Sequence, residues 1–193
     1  MKVVLVNGSR REKGCTYTAL SEAAKVLNEN GIETEIFFVG LRAVNGEIDL
    51  AVKEVAEAVK TADGFIVGSP VYYASPSGEI LAFLDRLFGV AGGDLKHKPG
   101  AAVVSARRGG TTASLDVLNK YFQINQMPIV SSNYWNMVHG NTPEEVYQDK
   151  EGIQIVHILA KNMAWLLKCI EAGKNAGVEL PEDEPKKRTN FIR

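Results

Sequence analysis

Three short segments of this 193-residue sequence combine glycine, hydroxyl and guanidinium groups at spacings that suit a charged, planar ligand. The first, Gly8-Ser9-Arg10-Arg11-Glu12-Lys13-Gly14-Cys15-Thr16, joins an apolar run to a helix-patterned one. Its glycines let the backbone turn tightly, and the N–H groups and dipole of the helix that follows favour an anion. Arg11 adds a charge-assisted donor. Taken alone, the segment is either a phosphate site or an ordinary capped turn. Because glycines and hydroxyls coincide with the helix start, phosphate is favoured. A nucleoside-triphosphate loop is not, since that loop needs G-x-x-x-x-G-K-[ST]. Here Gly8 and Gly14 are one residue too far apart, and Cys15 stands in the place of the lysine. The strand ending at Val67 runs into Gly68-Ser69-Pro70 rather than the acid a magnesium site wants, and no G-x-G-x-x-G follows the first strand.

The second segment, Gly68-Ser69-Pro70-Val71-Tyr72-Tyr73-Ala74-Ser75-Pro76-Ser77-Gly78, is stiffened by two prolines and carries two adjacent aromatic rings. Such a loop suits a planar heterocycle, although Tyr72 and Tyr73 covering a sheet edge would explain them equally well. The third, Ser105-Ala106-Arg107-Arg108-Gly109-Gly110-Thr111-Thr112, offers close backbone approach and two cations, or a solvated basic turn. Positive charge there would stabilise a reduced anionic ring and attract a phosphorylated reductant. His97, His139 and His157 are too scattered for a metal site, and Asp85-Arg86 reads as a pairing or capping couple.

These segments need elements to bring them together. Val3–Val6, Ile32–Val39, Phe65–Val67, Ala101–Val104 and Met127–Val130 read as strands, mostly as continuous apolar runs. Between them, Leu20-Ala23-Ala24-Leu27, Val52-Val55-Ala56-Val59, Ile80-Leu84-Leu87-Phe88 and Leu115-Leu118-Phe122 recur at helical spacing. A long C-terminal helix is expected from about 150 to 172. Alternation of this kind predicts a parallel α/β sheet with right-handed crossovers, whose ligands bind beyond the carboxyl ends of the strands. All three segments follow strands, so they converge on one edge. Residues 39–49 and 131–148 resist the pattern; the second is a long loop carrying Tyr134, Trp135, His139 and Tyr147, suited to a lid or subunit contact. The domain is expected to span 1–176, with 177–193 as a zwitterionic tail that is solvated or clasps a subunit.

Twenty-two Lys+Arg against 23 Asp+Glu leave a net charge of -1, which argues against nucleic acid as a partner. No run approaches the roughly 20 consecutive apolar residues of a membrane helix, so no membrane partner is expected. Polarity returns at Asn7, so the start does not read as a secretion signal. Cys15 and Cys169 suffice for neither a disulfide framework nor a four-cysteine metal site. A soluble, reduced, cytoplasmic protein without bound metal is expected.

GSRREKGCT resembles the phosphate loop, and GSPVYYASPSGEILAFLDR the ring loop, of the NADPH-dependent FMN reductase-like flavoproteins. The chain is more similar still to the iron–sulfur flavoprotein branch of that flavodoxin-like superfamily, where the third loop also carries a basic-Gly-Gly element, here RRGG. The similarity runs from residue 1 to about 133, and NMAWLLKCIEAG and RTNFIR near the end share it. The resemblance implies a three-layer flavodoxin-like α/β fold with a five-stranded parallel sheet in order 2-1-3-4-5. It implies non-covalent FMN, with Ser9, Arg11, Cys15 and Thr16 on the phosphate, Pro70, Val71, Tyr72 and Tyr73 on the ring, and Arg108, Gly109 and Gly110 at the ring's other edge. The activity implied is hydride transfer from NADPH or NADH to FMN and onward to a small-molecule acceptor such as a quinone or flavin. The chemistry would lie at the flavin, with no catalytic side chain. The rival readings are an electron carrier like flavodoxin, disfavoured by the balanced charge and extra C-terminal helix, and a flavin-binding sensor. A homodimer or homotetramer is implied, with Tyr134 or Trp135 shielding the flavin. Two departures stand out. Cys15 occupies a position usually held by Ser or Asn; its backbone N–H serves a phosphate whatever the side chain, so a tolerated substitution is favoured over a reactive thiol whose pKa the helix start lowers. The stretch VGLRAVNGEID lacks the cysteines with which relatives hold a cluster, so the cluster is not carried over.

Overall fold

The computed structural model describes residues 1–191. The apolar runs become β1 (Lys2–Asn7), β2 (Glu33–Phe38), β3 (Gly64–Tyr72) and β5 (Gly100–Ala106), all mutually parallel where they pair. The edge strand β6 (Met137–His139) completes the order β2-β1-β3-β5-β6, while β4 (Ser75–Pro76) folds back antiparallel on β3. Counting the parallel strands alone, this is the expected 2-1-3-4-5 order.

Side chains alternate across the sheet with period two. Val4, Val6, Phe65, Val67, Ala102 and Val104 pack in one core with α3 (Ile48–Lys60), α4 (Gly78–Leu95) and α5 (Thr111–Ile124). Val3, Leu5, Ile66, Ala101 and Val103 pack in the other, with α1 (Cys15–Glu29) and α7 (Lys150–Asn175). Both faces are therefore buried, which is why these strands read as unbroken apolar runs. By length and composition alone α7 could cross a membrane. Here its inner face, including Ile155, Val156, Leu159 and Met163, lies against α1 and the sheet.

The fifth strand departs from expectation. Met127–Val130 does not form a strand: Ile129 makes one isolated bridge to Gly100. Pro128 lacks the N–H a ladder needs, and only its carbonyl is used, accepting from the Gly100 N–H at 2.9 Å. The chain then leaves the sheet over 131–136 and returns as β6, inside the segment that reads as a loop. That segment also contains α6 (Pro143–Gln148), and the 39–49 connection contains α2 (Gly40–Val44). Beyond α7, residues 177–191 run without helix or strand, tied back by an ion pair between Lys96 and Asp183. Ile192 and Arg193, at the end of the expected tail, lie outside the described residues.

Phe65 is fully buried and meets Phe88 and Phe122 edge-on, at centroid distances of 6.3 and 6.4 Å. Phe65→Ala is expected to cost about 3–5 kcal/mol, read as a lower urea midpoint at unchanged m-value. A loss below ~1 kcal/mol would mean that the site collapses around the cavity.

Candidate functional site

The carboxyl ends of β1, β3, β5 and β6 meet at one edge, and the start of α1 is their hub. Asn7 is fully buried; its Oδ1 accepts from the Ser9 N–H (3.0 Å) and its Nδ2 donates to the Glu12 carbonyl (2.9 Å), pinning the first loop at both ends. Ser9 Oγ accepts from the Arg11 N–H at 3.1 Å. The N-cap, Gly14, offers no side chain to the first turn of α1, and no acidic residue lies there. The first amides of a helix have no intrahelical partner, so this end keeps its donors and its positive dipole for a ligand. Gly40 seats the loop from behind: a Cβ there would lie 2.0 Å from the Ser9 carbonyl oxygen.

Two fully buried hydroxyls lock the second loop to the first. Ser69 Oγ accepts from the Ser77 N–H (3.0 Å) and donates to the Pro70 carbonyl (2.8 Å). Ser77 Oγ donates to the Gly8 carbonyl (2.9 Å) and accepts from the Ile80 N–H (3.3 Å), capping α4. Between them β3 and β4 form a tight hairpin, pairing Tyr72 with Ser75. Its turn residues, Tyr73 and Ala74, take φ values of 50° and 58°, a turn geometry that normally selects Asn-Gly. Gly110, with φ of 99°, approaches so closely that a Cβ would sit 2.7 Å from the Ala74 Cα.

These loops enclose a cleft of about 210 Å³. Of the residues expected from sequence, Ser9, Arg11, Cys15, Thr16, Pro70, Val71 and Tyr72 line it. The others do not. Tyr73 stands fully exposed at the hairpin tip, Arg108 and Gly109 face solvent, and Gly110 is taken up by its contact with Ala74. Arg107 reaches the cleft in place of Arg108. Sequence reasoning missed Ser105, whose Oγ lies 2.8 Å from Thr16 Oγ1, and Gly140 and Asn141, which follow β6. Ser105 closes an apolar run and was legible as a strand end; Gly140 and Asn141 depend on where β6 pairs. Tyr134 and Trp135 stack edge-on at 4.6 Å. They sit on the 131–136 excursion, which leaves the edge beside Gly100 and rejoins it at Val104, short of the cleft beyond Ala106. Within one chain neither lines the cleft.

Cys15 Sγ donates to the Gly140 carbonyl at 3.5 Å. Burial pushes this thiol above its ordinary range, outweighing the opposing pull of the helix amide and Arg11. The shift is opposite in direction to that of a reactive low-pKa thiolate. Asp85 and Arg86 do not pair with each other: Asp85 accepts from the Tyr121 hydroxyl, and Arg86 Nε lies 3.3 Å from Asp49. Of the histidines, His157 lies 2.7 Å from Glu22 across α1 and α7, and His139 donates its backbone N–H to Asp149.

A family model described as NADPH-dependent FMN reductase matches residues 1–142. An iron-sulfur flavoprotein of Methanocaldococcus jannaschii is 30% identical over 192 residues, covering 89% of this chain and 100% of the relative. An FMN reductase (NADPH) of Escherichia coli is 31% identical over 122 residues, 60% of each chain. Among solved structures, RosB with a bound 8-demethyl-8-formylriboflavin-5'-phosphate intermediate superposes with a TM-score of 0.70 at 14% identity, covering 100% of this chain and 92% of that one. That last likeness is one of fold.

The two thiols should differ in reactivity. At neutral pH iodoacetamide is expected to label the exposed Cys169 well before Cys15, with Cys15 labelling accelerating only at alkaline pH. Peptide mass spectrometry reads the order, and faster labelling of Cys15 would contradict the protonated thiol.

Proposed function

The chain belongs to the NADPH-dependent FMN reductase family, and from that premise we propose that its cleft holds FMN and passes reducing equivalents from NADPH or NADH to a small acceptor such as a quinone or free flavin. The observation that carries this reading is the uncapped start of α1, opening on a cleft lined by Ser9, Arg11 and Thr16. That donor set fits a phosphate monoester: backbone amides, two hydroxyls and a guanidinium, with no acid in the first turn to repel it. At about 210 Å³ the cleft falls below the ~300 Å³ of a typical small-molecule site. It suits the polar end of the cofactor and leaves a ring accessible to a second substrate. Pro70, Val71 and Tyr72 supply the apolar and peptide surface for that ring.

Bound there, FMN would supply the redox chemistry that links reduced nicotinamide to an acceptor. The protein groups do the rest. Ser69 and Ser77 keep the ring loop rigid against the phosphate loop. Arg107 at the cleft, with Arg108 beside it, places positive charge where a dinucleotide phosphate or an anionic ring would be stabilised. A metal cluster does not fit this chain. Residues 39–49 contain no cysteine, and no group of three or more His, Cys, Asp or Glu among the described residues could hold a metal.

Arg11→Ala is expected to weaken FMN binding by about tenfold or more, since a hydrogen bond to a charged group contributes ~1.5–3 kcal/mol. Quenching of FMN fluorescence on titration with protein measures it. Loaded protein should be yellow and bleach with NADPH or NADH under anaerobic conditions; a chain that takes up no FMN would overturn the reading.

A further inference from the structure

We infer that Ser105, at the carboxyl end of β5, is a positioning residue for the phosphate of FMN: it donates to the Thr16 hydroxyl and so turns the Thr16 proton toward the cleft. The inference rests on the function proposed above. Along β5, Ala101 and Val103 pack on the face covered by α1, and period two puts Ser105 next in that row. The sheet fixes its backbone from both sides, through Pro70 on β3 and Val138 on β6. Thr16 meets it from the first turn of α1, with Oγ1 and Oγ 2.8 Å apart. The Thr16 rotamer is set from the opposite side. Its methyl group lies against Gly68, where a Cβ would come within 2.9 Å of Thr16 Cγ2. A β-branched side chain with its methyl so lodged has little freedom at χ1, and its hydroxyl stays toward β5.

The proton count points to a ligand. Both side chains are buried, Thr16 2% and Ser105 4% exposed, and each hydroxyl carries one proton. Their mutual bond uses one of these, and either oxygen can be its donor. Neither hydroxyl has a second hydrogen-bond partner among the described residues. One O–H is thus left without a protein acceptor, at the wall of the cleft that both residues line. Such a donor is costly to leave unmade. A phosphate dianion only accepts, so it draws the pair into a single polarity, Ser105 to Thr16 and Thr16 to the ligand. Thr16 is the ligand end of this chain because it shares the first turn of α1 with the uncapped amides. Hydrogen bonds in a chain of this kind strengthen one another, and the Thr16 hydroxyl is oriented before the ligand arrives.

A double-mutant cycle on the full chain separates this role from a direct contact. FMN affinity, read by fluorescence quenching, is expected to fall about tenfold in Thr16→Val and about fivefold in Ser105→Ala. In the Thr16→Val background, Ser105→Ala should change it by less than about twofold, because its effect passes through the missing hydroxyl. Riboflavin, which lacks the phosphate, should bind the parent and Ser105→Ala within about twofold of each other. Phosphorus NMR should show the resonance of bound FMN displaced in Ser105→Ala. A general loosening of the cleft would weaken riboflavin and FMN alike, and would overturn the inference. So would an equal loss from Ser105→Ala in both backgrounds, the mark of a direct contact, or full FMN affinity in Ser105→Ala. Should the parent take up no FMN, the FMN reading itself falls. The same cycle, titrated with inorganic phosphate and followed by its phosphorus line, then decides whether Ser105 positions the Thr16 hydroxyl for an anion.

Discussion

Among the described residues no side chain caps the first turn of α1, and much of the architecture around it follows from keeping it so. Gly14 contributes no capping oxygen, Thr18 Oγ1 donates to the Gly14 carbonyl, and Ser9 Oγ accepts from the Arg11 N–H while keeping its own O–H for a ligand. Leaving donors unpaired at a partly enclosed helix end is costly unless a ligand supplies the acceptors. The flanking groups are organised accordingly, with Asn7 fixing the loop ends and Gly40 allowing the backbone behind it to approach.

Buried hydroxyls carry this rigidity from one loop to the next. Ser69, Ser77, Thr16 and Ser105 are all buried and all hydrogen-bonded. A buried hydroxyl left unsatisfied is costly, so each of these contacts holds its loop to one register. Cys15 extends the same logic to the segment after β6 through the Gly140 carbonyl. At this position burial outweighs the helix amide and Arg11 and raises the thiol pKa, which favours the protonated donor over the thiolate.

The relatives named as iron-sulfur flavoproteins share nearly the whole length of this chain, yet residues 39–49 carry no thiolate ligand. In this chain the segment forms α2, and its apolar side, Ala43 and Val44, faces the hairpin carrying Tyr72 and Tyr73. Arg42 of the same helix is held by paired contacts to Glu54 on α3, which raises its pKa and fixes the helix against the sheet's outer layer. The same stretch of backbone thus builds a surface rather than a ligand set.

Whereas the strand order followed only from the family resemblance, the layered α/β architecture was legible in the sequence, because burial on both faces leaves runs such as Val3–Val6 and Phe65–Val67 that need no partner to be recognised. So was the convergence of three loops on one edge, since parallel strands must end together. Seven of the eleven residues expected at the site line the cleft for the same local reason: Ser9, Arg11, Cys15 and Thr16 surround a helix start, and Pro70, Val71 and Tyr72 end a strand. What only the tertiary structure decided is non-local. An edge strand pairs on one side and carries a weak pattern, so β6 formed at Met137–His139 rather than Met127–Val130, and that brought Gly140 and Asn141 to the cleft. Arg107 rather than Arg108 lines the cleft, and Tyr73 parts from Tyr72 at a two-residue turn whose Ala74 lies against Gly110. Local sequence specifies an element; contact between loops that are distant in the chain specifies which side chain it presents.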